Sequence, residues 1–103
     1  MSYRIERTAK AEEQIRDIVL YRAEITSSID SALGLLDQLE TGINTLSRFP
    51  ESGAQPRYRA LRARGLRVLI VDKYLVFYKV DHGQSLVTVY AVVDGRRDYL
   101  NLI

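Results

Sequence analysis

The 103-residue chain has no Cys, no Trp, one His, one Met and two Pro. Without Cys it forms no disulfide, offers no thiolate nucleophile and supplies no sulfur to a metal. The single imidazole, His82, excludes any site that needs two from one chain. The longest stretch free of charged residues runs from His82 to Val93 and contains Gln84, Ser85 and Thr88. It is too short and too polar for a bilayer span, which takes about 20 apolar residues. The segment Met1-Ser2-Tyr3-Arg4-Ile5-Glu6 lacks the apolar core of a signal peptide, so a cytoplasmic location is expected. The glycines at 34, 42, 53, 65, 83 and 95 are too dispersed for a phosphate-cradling loop. No acid cluster suggests a metal, and no cofactor is expected.

What is present is ordinary for a globular protein: 47% hydrophobic and 27% charged residues. A chain of this size buries about two-thirds of its unfolded surface, enough for one core, and residues 1–103 are expected to form a single domain. Charge is unevenly placed. Residues 1–51 carry 6 basic and 9 acidic side chains, and residues 52–103 carry 9 basic and 4 acidic ones, for a net charge of +2 over the chain. Of the 15 cations, 12 are Arg, whose planar guanidinium makes paired contacts with phosphate or carboxylate. The C-terminal half is therefore suited to an anionic partner, either nucleic acid or an acidic protein segment.

Alternation of Tyr3 and Ile5 with Arg4 and Glu6 predicts a short first strand. Thr8 is placed to cap a helix reaching about Glu24, with Ala11, Ile15, Ile18, Val19 and Ile25 at helical spacing. Ser27 and Ser28 mark a break and a second cap. Ile29, Ala32, Leu36, Leu39, Ile43 and Leu46 then predict a second helix that packs on the first as an antiparallel hairpin and ends at Phe49-Pro50. The stretch from Glu51 to about Arg64 is irregular, punctuated by Gly53 and Pro56. Beyond Gly65 the period becomes two. Leu66 to Val71, Tyr74 to Val80 and Ser85 to Val93 predict three strands, joined by turns short enough to make them sequential and antiparallel. A helical turn or two is expected in Arg96 to Ile103. The order implies an α+β domain: an N-terminal strand, a two-helix hairpin packed on an antiparallel three- to four-stranded sheet, and a short helical tail. Alternate residues place Leu66, Val68, Ile70, Val87, Val89, Ala91 and Val93 on the helix-covered side. Arg67, Leu75, Phe77, Lys79, Thr88 and Tyr90 then form a mixed open face.

Two clusters carry candidate chemistry. Arg57, Arg59, Arg62, Arg64 and Arg67 lie within eleven consecutive residues that contain no acid, with Tyr58 among them. Guanidinium groups there would neutralise phosphates or meet carboxylates, and an aromatic ring would stack on a base. Arg96 and Arg97 follow the last strand in Asp94-Gly95-Arg96-Arg97-Asp98-Tyr99, where Tyr99 is expected to pack with the apolar tail. His82 has the ionisation range of a general base. Its place in the turn Asp81-His82-Gly83 argues for a solvated side chain instead.

Four segments occur in order: Leu46-Ser47-Arg48-Phe49-Pro50-Glu51-Ser52-Gly53, Gly65-Leu66-Arg67-Val68-Leu69, Tyr74-Leu75-Val76-Phe77-Tyr78-Lys79-Val80 and Gly95-Arg96-Arg97-Asp98-Tyr99. Together they resemble the RelE/ParE superfamily, the bacterial toxins of type II toxin–antitoxin systems. The resemblance implies growth arrest as the activity and a cognate acidic antitoxin as partner. It also implies one of two targets. ParE-like members poison DNA gyrase by binding it, and the Tyr-Leu-Val-Phe-Tyr hairpin resembles theirs. RelE-like members are ribosome-dependent, metal-independent endoribonucleases (mRNA interferases) that use an Arg in the hairpin strand and another near the C-terminus. Here the hairpin position is Leu75. Arg97 keeps the later cation, Arg67 is the candidate match for a basic residue of the preceding strand, and Tyr99 is the candidate acid. Losing a cation that stabilises transition-state charge costs about a hundredfold or more in rate. ParE-like gyrase binding is therefore the expected action, with mRNA cleavage as the alternative. In a binding role the expected contact surface is Arg57, Arg59, Arg62, Arg64, Arg67, Arg96 and Arg97.

Overall fold

Local signals in the sequence start both long helices. In the computed structural model, which describes residues 2–103, strand β1 (Arg4–Arg7) leads to Thr8, whose hydroxyl accepts the Ala11 amide at 3.1 Å. Helix α1 (Ala9–Thr26) follows and stops at Ser27, which adopts a left-handed conformation. Ser28 then caps helix α2 (Ile29–Asn44) by accepting the Ser31 amide at 3.1 Å. These caps satisfy amide groups that a bare helix start leaves unpaired. A 3-10 turn, Thr45–Ser47, closes the helical hairpin before Pro50.

The segment expected to be irregular contains a short helix α3 (Arg59–Ala63), anchored by buried Leu61. Strands β2 (Arg67–Val71), β3 (Tyr74–Asp81) and β4 (Leu86–Asp94) form the expected antiparallel meander. The sheet order is β1-β4-β3-β2. Strand β1 joins parallel to β4, with Arg4 opposite Leu86, so the four-stranded sheet is mixed although mostly antiparallel. A 3-10 turn, Leu100–Leu102, forms the tail.

The helical hairpin covers one sheet face, where Ala11 and Ile15 of α1 and Leu35, Leu39 and Ile43 of α2 meet Val76, Tyr78, Val87 and Val89. The buried seam of α2 is Ala32, Leu35, Leu39 and Ile43. Leu36 is only partly buried, and Ile29 lies outside the seam at 73% exposure. The other sheet face has its own, smaller core. There Leu61, Leu66, Val68, Phe77, Ala91, Val93 and Tyr99 pack together.

The expected division of faces is thus corrected in two places. Along β2, Leu69 and Val71 face the helices, whereas Leu66 and Val68 lie opposite. Along β4, Phe77 pairs with Ala91 but Tyr78 pairs with Val89, leaving Tyr90 as an extra residue. This bulge reverses the parity, so Ala91 and Val93 leave the face occupied by Val87 and Val89. Beyond Val89 no strand lies along the outer edge of β4 among the described residues, and the side chains of Thr8 and Gln14 reach its backbone instead. Thr8 Oγ1 donates to Tyr90 O at 3.2 Å, the Val92 amide donates to Gln14 Oε1 at 2.9 Å, and Gln14 Nε2 donates to Leu102 O at 2.7 Å.

Candidate functional site

The C-terminal half of α1, the β2–β3 turn and the turn after β4 enclose a groove of about 690 Å³. Its floor is apolar: Ile18, Tyr21 and Ile25 from α1, with Tyr21 63% and Ile25 58% exposed. The rim carries Arg22, Lys73, Arg96 and Arg97 against Asp17 and Asp94. Asp94 is already committed. Arg96 Nη2 donates to its Oδ2 at 3.0 Å, Arg96 Nε to its Oδ1 at 3.2 Å, and the Arg96 amide to Oδ1 at 2.9 Å. Hydrogen bonding by the Arg96 side chain outweighs desolvation and holds the Asp94 carboxyl below its usual range; Asp94 in turn raises Arg96. Gly95 ties this turn to the neighbouring one by donating its amide to Lys73 O at 2.9 Å. Arg97 stands exposed on the rim, and no ion pair involves it among the described residues.

The arginine-rich segment divides into two kinds of residue. Arg62 is structural, donating from Nη1 to Pro56 O and to Arg57 O at 2.8 Å each. Arg57 lies over the Tyr58 ring, 5.6 Å from its centroid. Arg57, Arg59 and Arg64 are exposed around α3 and take part in no ion pair among the described residues. They form a basic patch separate from the groove.

Arg67 is placed differently from the expectation. It is paired with Tyr78 and shares strand parity with Leu69 and Val71, so it leaves the mixed open face. Its guanidinium folds onto the loop after α2, where Nη2 donates to Glu51 O at 2.8 Å and Gly53 O at 2.7 Å. Its buried Nε has no hydrogen-bond partner among the described residues. Tyr99 is buried, but under a different roof from the apolar tail alone. Its ring packs on Phe77 and Tyr58 with centroids 5.6 and 5.5 Å apart. Burial pushes the Tyr99 phenol above its ordinary value. Arg67, Arg97 and Tyr99 therefore occupy three environments: a loop, the groove rim and the second core. Leu75 is half-buried beside that second core and packs as an apolar residue.

His82 is exposed, as its turn position implies, yet each ring nitrogen has a polar neighbour. Nδ1 is 2.7 Å from the Tyr3 hydroxyl and Nε2 is 3.5 Å from Glu51 Oε2. The sequence placed these three residues in separate segments; their meeting depends on β1 lying beside β4, which no local pattern announces. Among the described residues no three His, Cys, Asp or Glu side chains come together as metal ligands, and no helix is long and apolar enough to cross a membrane.

The family of the ParE toxin of the type II toxin–antitoxin system, parDE, matches residues 5–99. The chain belongs to this toxin family. Two solved structures show how widely the ParE-like fold is shared. One, described as the chromosomal ParDE toxin–antitoxin system from P. aeruginosa, superposes with a TM-score of 0.73 at 12% identity, covering 90% of this chain and 96% of that one. The other, the RelBE2 toxin–antitoxin complex from Mycobacterium tuberculosis, gives 0.63 at 17% identity, covering 91% and 99%. No curated protein matches the sequence significantly. At these identities the likeness of the two structures is one of fold, and it spans ParE-type and RelE-type systems alike.

Proposed function

We propose that this ParE-family toxin arrests growth by binding DNA gyrase in the cytoplasm rather than by cutting RNA. The observation that carries this reading is the dispersal of the would-be catalytic set. Phosphodiester cleavage needs charge stabilisation and proton transfer converging on one phosphate within hydrogen-bond reach. Arg67 is spent on loop carbonyls, Tyr99 is stacked in the second core, and Arg97 stands on the groove rim. Leu75, at the position matching the hairpin Arg of RelE-like ribonucleases, supplies neither charge nor proton. A binding toxin needs no such convergence. It needs an exposed surface, and Arg57, Arg59 and Arg64 provide one.

A cognate antitoxin is the second partner in this proposal. The groove has an apolar floor and a rim whose uncommitted charges are mainly positive, features that suit an amphipathic acidic segment. Anchors would sit on Ile18, Tyr21 and Ile25 while carboxylates meet Arg22, Lys73 and Arg97.

Induction of the protein in a bacterial host separates the two modes of action. Gyrase poisoning is expected to give double-strand breaks and a DNA-damage response, and the purified protein to inhibit supercoiling by gyrase. Codon-phased cuts in ribosome-bound mRNA, without breaks in DNA, would overturn the gyrase reading and establish the ribonuclease one.

A further inference from the structure

From Ser52 to Val71 the chain carries five arginines and no acid. Two of them are spent within the fold, Arg62 on the carbonyls of Pro56 and Arg57, and Arg67 on those of Glu51 and Gly53. Arg57, Arg59 and Arg64 remain exposed, with no ion pair among the described residues. Their backbone is fixed from beneath. Leu61 anchors α3 at 3% exposure, and the Arg62 bonds hold the segment that enters it. Three like charges therefore stand on one short helix and its flanks before any partner arrives, which lowers the ordering cost of binding an anion.

What surrounds these charges identifies the anion. A protein interface is centred on large apolar or aromatic anchors. Between Arg57 and Gly65 the exposed residues other than arginine are Ala60, Ala63 and Gly65, so no anchor is offered. A single strand is held by aromatic rings on which its bases stack. Here the Tyr58 ring packs edge-on against Tyr99 and lies under Arg57, while Tyr99 is buried against Phe77. A duplex backbone asks only for positive charge and donors. It presents one negative charge per about 1.7 Å of axis, so about four lie along the roughly 7.5 Å length of the five-residue α3. We propose that Arg57, Arg59 and Arg64 grip the phosphate backbone of duplex DNA, independently of its base sequence. Guanidinium suits this role, because its paired N–H groups match two phosphate oxygens. The proposal rests on the gyrase reading for the choice of duplex. The patch would lie against the DNA that gyrase holds, and not against the gyrase chain.

Fluorescence anisotropy of the full chain with short labelled duplexes of two unrelated sequences tests this without gyrase. Between about 50 and about 200 mM salt, three phosphate contacts should weaken binding about fortyfold, equally for both sequences. The Arg57→Ala, Arg59→Ala, Arg64→Ala variant should bind about tenfold or more weakly and lose most of that salt dependence. Its far-UV circular dichroism should stay unchanged. Replacing the same three residues by Lys should keep the salt dependence, since the charge remains. Lys10→Ala, Arg16→Ala, Arg48→Ala removes equal charge from exposed positions elsewhere and should keep duplex binding within about threefold. The proposal is overturned if neither duplex binds at the lower salt, or if the first variant binds as the parent chain does. It is also overturned if the two alanine variants lose binding equally, or if single-stranded DNA or RNA of the same length binds more tightly. Inhibition of supercoiling is scored in parallel. Inhibition without duplex binding removes this proposal and spares the gyrase reading, whereas duplex binding without inhibition removes the gyrase reading and leaves the patch its ligand.

Discussion

The Gly53 amide donates a buried hydrogen bond of 2.9 Å to the hydroxyl of Tyr78, 25 residues away in sequence. This bond fixes the loop after α2 against the middle of β3. The same loop receives Arg67 through the carbonyls of Glu51 and Gly53, and it bridges to β2 through Ala54 and Val68. An arginine that sequence alone nominates for chemistry is thus part of a structural joint.

Removing the hydroxyl with Tyr78→Phe should strand the Gly53 amide and cost about 1–3 kcal/mol, measured by urea denaturation. Gly53→Ala should cost more. A Cβ there would lie 2.5 Å from the Tyr78 hydroxyl and 2.7 Å from Val68 O, and the latter is backbone that yields poorly.

Arg67→Ala should lower stability by about 1–3 kcal/mol through loss of two charge-assisted bonds. Arg97→Ala, at an exposed rim position, should leave the melting temperature unchanged and weaken antitoxin binding. Measuring both quantities on both variants separates a structural arginine from a contact arginine. An unchanged melting temperature in Arg67→Ala would contradict the assignment.

Gln14→Ala should release the Val92 amide and the C-terminal turn together, speeding exchange of that amide. Gln14→Glu keeps the acceptor for Val92 but loses the donor to Leu102 O, so it should free the tail while leaving the Val92 amide protected. Amide exchange followed by NMR distinguishes the two patterns.

Asp94 gives a defined acid response. Its carboxyl is held below the ordinary aspartate value chiefly by the hydrogen bond from the Arg96 side chain. A carboxylate depressed in the folded state adds stability above its unfolded pKa and loses it as pH falls through the folded one. The contribution of this pair should therefore be constant near neutrality and disappear below about pH 4, the ordinary aspartate range. Asp94→Asn should remove that part of the acid limb in stability–pH curves without altering the neutral-to-alkaline limb.

The elements themselves were legible because their signals are local. Thr8 and Ser28 cap helices, Pro50 follows the end of the hairpin, and the period of two after Gly65 marks the meander. What was illegible depended on contacts between distant segments. Ile29 matches the spacing of a buried seam, yet the seam runs through Leu35, because helix α2 turns its face according to where the sheet lies. A single extra residue, Tyr90, exchanged the faces of the β4 residues beyond it. Arg67 kept its strand but changed face, since β2 is phased by its pairing with β3. The arginine patch and the groove cations were visible as composition, whereas the separation of Arg67, Arg97 and Tyr99 was not. The Tyr3–His82–Glu51 contact had no sequence signal beyond the turn position of His82.

The parallel pairing of β1 with β4 has a consequence for the timing of synthesis. Thr8 bonds Tyr90 across 82 residues, so the first strand to leave the ribosome waits for nearly the last. Chains emerge at roughly 5–20 residues per second, and closing so long a loop adds entropy cost and slows folding. A nascent chain halted anywhere before β4 has no completed sheet, no seat for α1 on its final face and no groove, because Asp94, Arg96 and Arg97 have not yet been made. The groove is therefore completed only once the last strand and the turn after it have been made.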